Sequence, residues 1–177
     1  MNEIPQQIHW EHNLYGLDEE GAYRNLFGKS KEEAYELILE RTFSYQEDVS
    51  YTYGYTFEYY VEPYLDYLLS DDSKEDSDAA NCFLGLIEIK LSYNIEDLLP
   101  HKNYIEIVLD FVSKEQFSKF DADKNIYGLF REKVEILKTY LNKYPSLSQK
   151  EICSSIEQKM EEIKKKNYNK FLENGNH

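Results

Sequence analysis

Apolar residues recur every three or four positions along most of this chain, which is the spacing of one face of an α-helix. Residues 80–91 show it most clearly. Apolar residues there form one stripe along the predicted helix, and further apolar residues lie next to that stripe. Only seven glycines and four prolines interrupt the 177 residues, too few for the frequent turns of a β-sandwich. We therefore predict an all-α fold, an irregular bundle of seven or eight helices with little or no β structure.

Capping residues predict where several of these helices begin. Ser30 and Glu33 have the spacing of a capping box, in which the side chain of each residue bonds the backbone N–H of the other. We expect the helix that follows to end near Phe43. The same capping-box spacing recurs at residues 113–116 and 148–151. Residues 124–144 carry apolar side chains at helical spacing up to the next proline, which predicts one long helix there.

The length of the chain favours one helical domain over residues 1–177, with flexible ends at 1–13 and 172–177. The N-terminus lacks the basic start and apolar run of a secretory signal, and no stretch approaches the roughly 20 apolar residues of a membrane span. Cys82 and Cys153 each lie within an apolar helical pattern, which favours buried reduced thiols over a disulfide. We therefore predict a cytoplasmic protein that does not enter a membrane.

The negative charge of the chain is unevenly distributed. The net charge is −14, but residues 1–100 hold 6 basic and 22 acidic side chains, a net charge of −16. Residues 101–177 hold 14 basic and 12 acidic side chains, a net charge of +2. A negative field repels nucleic acid and anionic membranes, and it attracts basic partners. The charge therefore predicts a basic protein partner and no binding of nucleic acid.

Residues 42–73 combine eight tyrosines and seven acidic residues with no lysine, arginine or histidine. Tyrosine is common in the core, where its ring is buried and its hydroxyl finds a polar partner, and it is also enriched in recognition surfaces. Helical spacing favours the core for three of the tyrosines: Tyr60, Tyr64 and Tyr67. Residues 49–55 fit a helix and an extended strand equally well, so burial and recognition stay open for the three tyrosines there: Tyr51, Tyr53 and Tyr55.

We predict that a partner binds where exposed carboxylates lie beside tyrosines. Carboxylates pair with lysine or arginine on a partner and orient its approach, while tyrosine supplies contact area at a small loss of conformational entropy. This predicted binding surface consists of two groups of residues. The first group is Glu47, Asp48, Tyr51, Tyr53, Tyr55 and Glu58. A charged loop supplies the second group, Asp71, Asp72, Glu75 and Asp76.

One segment partly resembles a calcium-binding EF-hand loop. Counted from the first aspartate, oxygen ligands stand at loop positions 1, 3, 5 and 12, occupied by Asp121, Asp123, Asn125 and Glu132. Position 6 of an EF-hand needs glycine for a sharp turn, but this chain has Ile126 there, which makes that turn unfavourable. A helix cap by Asp121 or Asp123 explains the same residues, so we predict no metal site.

Several motifs typical of enzymes are missing from this sequence. It has no glycine-rich phosphate loop, no H-E-x-x-H and no paired C-x-x-C. None of its four histidines stands beside a cysteine or a glycine-framed serine: His9, His12, His101 and His177. Glu88, an acid inside an apolar run, could act as an acid or base if it were buried, although a solvent-facing position is the simpler interpretation. We predict that the chain is not an enzyme and takes no cofactor.

Two short segments remain to be interpreted, residues 27–33 (FGKSKEE) and residues 77–84 (SDAANCFL). Both resemble the helical immunity proteins that neutralise nuclease toxins in bacterial polymorphic and contact-dependent growth inhibition systems. The resemblance implies a cytoplasmic inhibitor that binds its cognate toxin domain. Nucleases bind phosphates and so carry basic clefts, which an acidic protein can occupy.

Two alternatives remain open at this point. The chain could be an acidic regulatory or scaffold protein that binds another basic partner without neutralising a toxin. It could also mimic nucleic acid and block a DNA-binding protein, although mimicry favours denser carboxylates than this tyrosine-rich sequence offers. Both alternatives share a basic partner with the leading hypothesis, so the charge by itself does not separate the three.

Overall fold

The computed structural model describes residues 3–10 and 16–174, with side chains up to residue 169. Every regular element in this part of the chain is helical, and none is a strand. Short 3-10 helices lie at Asp71–Ser73 and Ile95–Leu98. The α-helices of the described residues are α1 (Gln7–Trp10), α2 (Leu17–Leu26), α3 (Lys31–Ser50), α4 (Gly54–Leu69), α5 (Ser77–Tyr93), α6 (Lys102–Lys114), α7 (Lys124–Tyr127), α8 (Phe130–Lys143) and α9 (Gln149–Asn174). The all-α prediction is confirmed, with more helices than the seven or eight expected.

Two of the three predicted capping boxes are confirmed, before α3 and before α9. The backbone N–H of Ser30 donates to Glu33 Oε2 at 2.8 Å, and the backbone N–H of Glu33 donates to Ser30 Oγ at 3.2 Å. The backbone N–H of Ser148 likewise donates to Glu151 Oε2 at 2.9 Å. The prediction at residues 113–116 is wrong, because α6 runs into that segment on an apolar stripe that is fully buried.

The predicted helix over residues 124–144 is interrupted, which adds a helix to the count. Gly128 has a φ of +73°, a left-handed conformation that glycine adopts at little cost, and it ends α7. α8 then begins at Phe130, whose side chain is fully buried. Asp123 accepts a hydrogen bond from the backbone N–H of Asn125 at 2.8 Å, as the helix-cap interpretation of this acidic segment predicts.

The stretch that fitted both a helix and a strand consists of two helix ends joined by a turn. α3 continues past its predicted end to Ser50, although its backbone leaves helical geometry at Arg41 (φ −157°, ψ 62°). A turn follows, and α4 begins at Gly54, which has a φ of +53°. α3 extends this far because Tyr45 and Val49 continue its apolar stripe and are buried.

α4 and α5 lie at the centre of the bundle. α3 packs against both of them, α6 packs against α4, and α8 and α9 pack against α5. The three tyrosines predicted to be core residues are all buried: Tyr60, Tyr64 and Tyr67. The Tyr64 hydroxyl donates to the carbonyl oxygen of Ala79 at 2.8 Å, so a hydrogen bond inside the protein replaces the one that its hydroxyl makes with water.

Trp10 anchors the N-terminal segment to the core. Its side chain is fully buried, and its ring centroid lies 5.3 Å from that of Tyr23 and 6.1 Å from that of Tyr60. Trp10 falls within the 1–13 segment expected to be flexible, and its burial was not anticipated. Parts of the two predicted flexible ends lie outside the described residues: 1–2, 11–13 and 175–177.

Cys82 and Cys153 are free thiols. Each is partly exposed, because it lies at the border of the buried face of its helix, beside a buried neighbour. The prediction of full burial is therefore wrong for both. No helix among the described residues is long and apolar enough to cross a membrane.

Candidate functional site

The predicted binding surface is divided between the two ends of α4. Its first group of residues lies around the N-terminal end of α4, and its charged loop follows the C-terminal end. α4 has 16 residues, and a rise of about 1.5 Å per residue separates the two groups by about 24 Å along its axis. The structure therefore does not bring the ten predicted residues into one cluster.

Asp48, in the first group, is not on the surface. It is only 9% exposed, and its two carboxylate oxygens accept hydrogen bonds from Asn25 Nδ2 at 3.0 and 2.9 Å. Burial raises the pKa of Asp48, while the hydrogen bond from Asn25 and the charge of Arg41 lower it. Since α3 stays helical to Ser50, Asp48 faces α2 instead of solvent, which corrects its assignment to the binding surface. Glu47 is exposed and Glu58 is half-buried.

The three tyrosines of the first group are half-buried, and each of them has contacts within the chain. The Tyr55 hydroxyl donates to the carbonyl oxygen of Glu3 at 2.6 Å. The ring of Tyr53 lies 4.4 Å from Lys90 Nζ. Burial raises the pKa of Tyr51, and the nearby charge of Asp18 adds to that rise. Packing therefore accounts for Tyr53 and Tyr55 more fully than recognition does.

Lys90 is a buried cation in an aromatic cage at this end of α4. It is 1% exposed, and its Nζ lies 2.9 Å from Asp97 Oδ2 and donates to the carbonyl oxygen of Thr52. The ring centroids of Tyr53 and Phe57 each lie 4.4 Å from the same Nζ. Burial lowers the pKa of Lys90, and the charge of Asp97 opposes that change. Because the side chain of Lys90 fills the cage, this cluster stabilises the fold.

In the charged loop, Asp71, Asp72 and Glu75 are exposed, and Asp76 has a structural role. Asp76 Oδ1 accepts the backbone N–H of Ala79 at 2.9 Å and so caps α5. Its other oxygen accepts the Tyr67 hydroxyl at 2.8 Å. These two hydrogen bonds hold Asp76 in place, which leaves the other three carboxylates as the exposed charges of the loop.

A groove that the sequence analysis did not identify lies between α3 and α4, beside this loop. It has a volume of about 310 Å³ and is lined by Lys31, Glu32, Tyr35, Glu36, Pro63 and Asp66. We call it the carboxylate groove. Tyr35 connects it to the charged loop, because its hydroxyl lies 2.8 Å from Asp72 Oδ2 and 2.9 Å from Ser70 Oγ. Asp66, on the opposite wall, accepts a hydrogen bond from Tyr104.

The carboxylate groove is negatively charged at neutral pH. Its basic lining residue, Lys31, forms an ion pair with Glu62 at 2.5 Å. Among the described residues, none of the ion pairs involves the other three charged lining residues, Glu32, Glu36 and Asp66. Backbone N–H groups at the start of α3 and the Ser30 hydroxyl lower the pKa of Glu32, so its carboxylate is ionised.

The two tyrosines at the carboxylate groove remain hydrogen-bond donors. Burial raises the pKa of Tyr35, and the charges of Asp72 and Asp66 raise it further. Burial also raises the pKa of Tyr104, and its hydrogen bond to Asp66 acts in the same direction. Both hydroxyls therefore stay protonated and neutral well above neutral pH, which leaves the negative charge of the groove on its carboxylates.

Glu88, the candidate acid–base residue, is half-buried on α5. Burial raises the pKa of its carboxyl, and the positive charges of Lys164 and Lys133 oppose that rise. Lys133 Nζ donates to Asn81 Oδ1 at 2.9 Å. The two nearby ammonium groups account for an acidic residue at this half-buried position, so no catalytic role is needed to explain it. The absence of enzymatic activity stays a prediction.

No group of three or more His, Cys, Asp or Glu side chains within the described residues is arranged to hold a metal ion. His101 Nε2 lies 2.8 Å from the carbonyl oxygen of Glu58. His9 Nδ1 accepts the backbone N–H of Gln6 at 2.9 Å. The other two histidines, His12 and His177, lie outside the described residues.

Comparisons with protein-family models, with curated proteins and with solved structures found no match to this chain. The resemblance of residues 27–33 and 77–84 to immunity proteins therefore stays a hypothesis. In the structure, the first segment contains the capping box that starts α3 and contributes Lys31 and Glu32 to the carboxylate groove. Half of the second segment is buried in α5, so the resemblance there rests in part on residues of the core.

Proposed function

We propose that this protein binds a basic protein domain through the carboxylate groove and inhibits it. The proposed partner is the nuclease domain of a bacterial toxin, for which this chain is the immunity protein. The observation that carries the proposal is the placement of Glu32, Glu36 and Asp66 on two facing helices, without an ion pair to any of them among the described residues.

The shape of the carboxylate groove suits a lysine or arginine side chain from the partner. Its volume is at the small end of the range of about 300–1,000 Å³ typical of ligand pockets. Carboxylates on opposite walls can bond a planar guanidinium from two sides. Tyr35 and Pro63 supply apolar surface against which the stem of such a side chain can pack. The exposed acids of the charged loop extend the negative surface past the groove.

Charge explains why a nuclease domain is a suitable partner. A nuclease binds the phosphates of its substrate with basic side chains, and an acidic protein seated on those side chains excludes the substrate. The net charge of −16 on residues 1–100 would also steer the two proteins together and speed their encounter. An immunity protein needs such speed, because it acts before the toxin damages the cell.

Reversing the charge of the carboxylate groove is expected to slow binding. In the double variant Glu36→Lys/Asp66→Lys, the association rate constant with the captured basic partner should fall at least about tenfold. Its dependence on salt should also weaken, since fewer opposite charges attract the partner. The measurement is capture from lysate of the source cell with tagged parent protein, identification of the retained protein, and stopped-flow association at several salt concentrations.

The matched control is Glu135→Lys/Glu157→Lys, which changes the net charge equally at exposed sites outside the carboxylate groove. It should alter the association rate constant by less than about twofold. Equal effects of the two double variants would show that net charge, and not the groove, governs binding. Circular dichroism of each variant checks that the helices remain formed.

The inhibitory role has a separate test. Expression of the captured partner alone should stop cell growth, co-expression of the parent protein should restore growth, and co-expression of Glu36→Lys/Asp66→Lys should restore it less well. A captured basic partner that is harmless on its own would instead support the acidic scaffold or regulatory protein. If the parent protein captures no basic protein, the proposed function is wrong.

A further inference from the structure

α3 exposes two large apolar side chains next to the carboxylate groove. Leu39 is 47% exposed and Phe43 is 64% exposed, whereas Ile38, which precedes Leu39, is fully buried. We call Leu39 and Phe43 the apolar patch. Exposing two such side chains on one short stretch is unfavourable in water, and paired exposure of this kind marks interaction surfaces more often than a single exposed residue does.

The apolar patch continues the carboxylate groove along α3. Leu39 follows Glu36 by three residues and Tyr35 by four, which places it one helical turn, about 5 Å, beyond these two lining residues. Phe43 lies four residues further, past the break in helical geometry at Arg41. Glu40, which follows Leu39 in sequence, is also exposed. The groove residues and Leu39 therefore follow each other along one side of α3, and Phe43 is exposed on the next part of the chain, beyond the break at Arg41.

We infer that the carboxylate groove and the apolar patch form one docking surface for a basic amphipathic helix of a protein partner. This inference rests on the proposed function and adds the chemistry of the partner segment to it. The carboxylates require lysine or arginine on that segment, and the apolar patch requires an aliphatic or aromatic side chain about one turn away. A helix of the partner can lie along the exposed side of α3, because the side chains of two packed helices fit between each other.

A second copy of this chain does not suit the same surface. Two copies would bring Glu32, Glu36 and Glu40 of one molecule near the same carboxylates of the other, on proteins that each carry a net charge of −14. Like charges brought together in this way disfavour association. A basic segment instead places cations against the carboxylates and covers the apolar patch at the same time.

Two synthetic helical peptides of equal length and equal positive charge test this inference. One carries leucine at positions i, i+3, i+4 and i+7 between its lysines and arginines, and the other carries glutamine there. The parent protein should bind the leucine peptide at least about tenfold more tightly than the glutamine peptide. In Leu39→Ala/Phe43→Ala that advantage should fall to less than about threefold. The leucine peptide loses its apolar contacts and binds more weakly, while the affinity of the glutamine peptide stays the same. Isothermal titration calorimetry measures both affinities.

The matched control is Ile126→Ala/Tyr168→Ala, which removes an aliphatic and an aromatic side chain that are 75% and 62% exposed. This control should preserve the preference for the leucine peptide. The docking inference is overturned if the parent binds both peptides equally, or if both double variants reduce the preference alike. The proposed function fails separately, in the capture experiment, if the parent retains no basic protein.

Discussion

Raising the pH from about 9 to about 11 is expected to destabilise this protein strongly, because that range spans the ordinary tyrosine pKa of about 10. Burial raises the pKa of several core tyrosines above that value: Tyr45, Tyr60, Tyr64 and Tyr67. Below the ordinary pKa both the folded and the unfolded chain keep these protons. Above it the unfolded chain releases them while the folded chain retains them, so the free energy of unfolding falls.

The expected loss of stability is large. Above about pH 10 each such tyrosine lowers the free energy of unfolding by about 1.4 kcal/mol per pH unit, so four of them lower it by about 5.6 kcal/mol per unit. Lys90 acts in the opposite direction, because burial lowers its pKa and the unfolded chain then holds the extra proton. One lysine offsets about one tyrosine. The net loss between about pH 9 and about pH 11 is then about 4 kcal/mol, close to the lower end of the stability of a typical domain, about 5–15 kcal/mol.

Urea unfolding at successive pH values, with absorbance of tyrosinate recorded in parallel, measures this loss. Tyr64→Phe removes one of the four buried hydroxyls and should reduce the fall per pH unit by about 1.4 kcal/mol, although it also breaks the hydrogen bond to Ala79. Phe83→Leu is the control, since it disturbs the same core without removing a titrating group. A free energy of unfolding that stays level between about pH 9 and pH 11 contradicts the prediction.

The tyrosines show how far the sequence predicts burial in this fold. Helical spacing placed Tyr60, Tyr64 and Tyr67 in the core, and all three are buried, because a side chain on the apolar stripe of a central helix has no other position. The environments of Tyr53 and Tyr55 could not be predicted. They depend on Lys90 and on the backbone of Glu3, residues far away in sequence, and local periodicity contains no information about such partners.

The carboxylate groove was missed for the same reason. The sequence shows a high density of acids before residue 100, but it does not show that Asp66 of α4 lies across a groove from Glu32 and Glu36 of α3. One local signal was present. Glu32, Glu36 and Glu40 recur at a spacing of four residues, where like charges repel on a helix and destabilise it by a few tenths of a kcal/mol per pair. This repeated unfavourable spacing is a local sign of an exposed acidic face on α3.

Asp97→Ala is expected to lower the free energy of unfolding by about 3–5 kcal/mol, because it leaves the buried ammonium group of Lys90 without its counter-charge. The carboxylate of Asp97 also accepts the backbone N–H of Gly54 at 2.9 Å, so its loss frees the start of α4 as well. Asp110→Ala is the matched control. It removes an ion pair with Lys138 in which Asp110 is 64% exposed, and solvent screening limits its effect to less than about 1 kcal/mol. Urea unfolding at neutral pH measures both changes.

A double variant separates a missing counter-charge from a missing hydrogen-bond acceptor. Lys90→Met/Asp97→Ala removes both charges and keeps an apolar side chain between the rings of Tyr53 and Phe57. Replacing a buried ion pair by apolar side chains is often neutral or stabilising, so this double variant should be more stable than Asp97→Ala alone. If it is no more stable, the lost acceptor for Gly54 dominates, and the unpaired charge of Lys90 is not the cause of the instability. Because α4 runs from this cluster to the carboxylate groove, stabilising its start also holds Asp66 opposite Glu32 and Glu36.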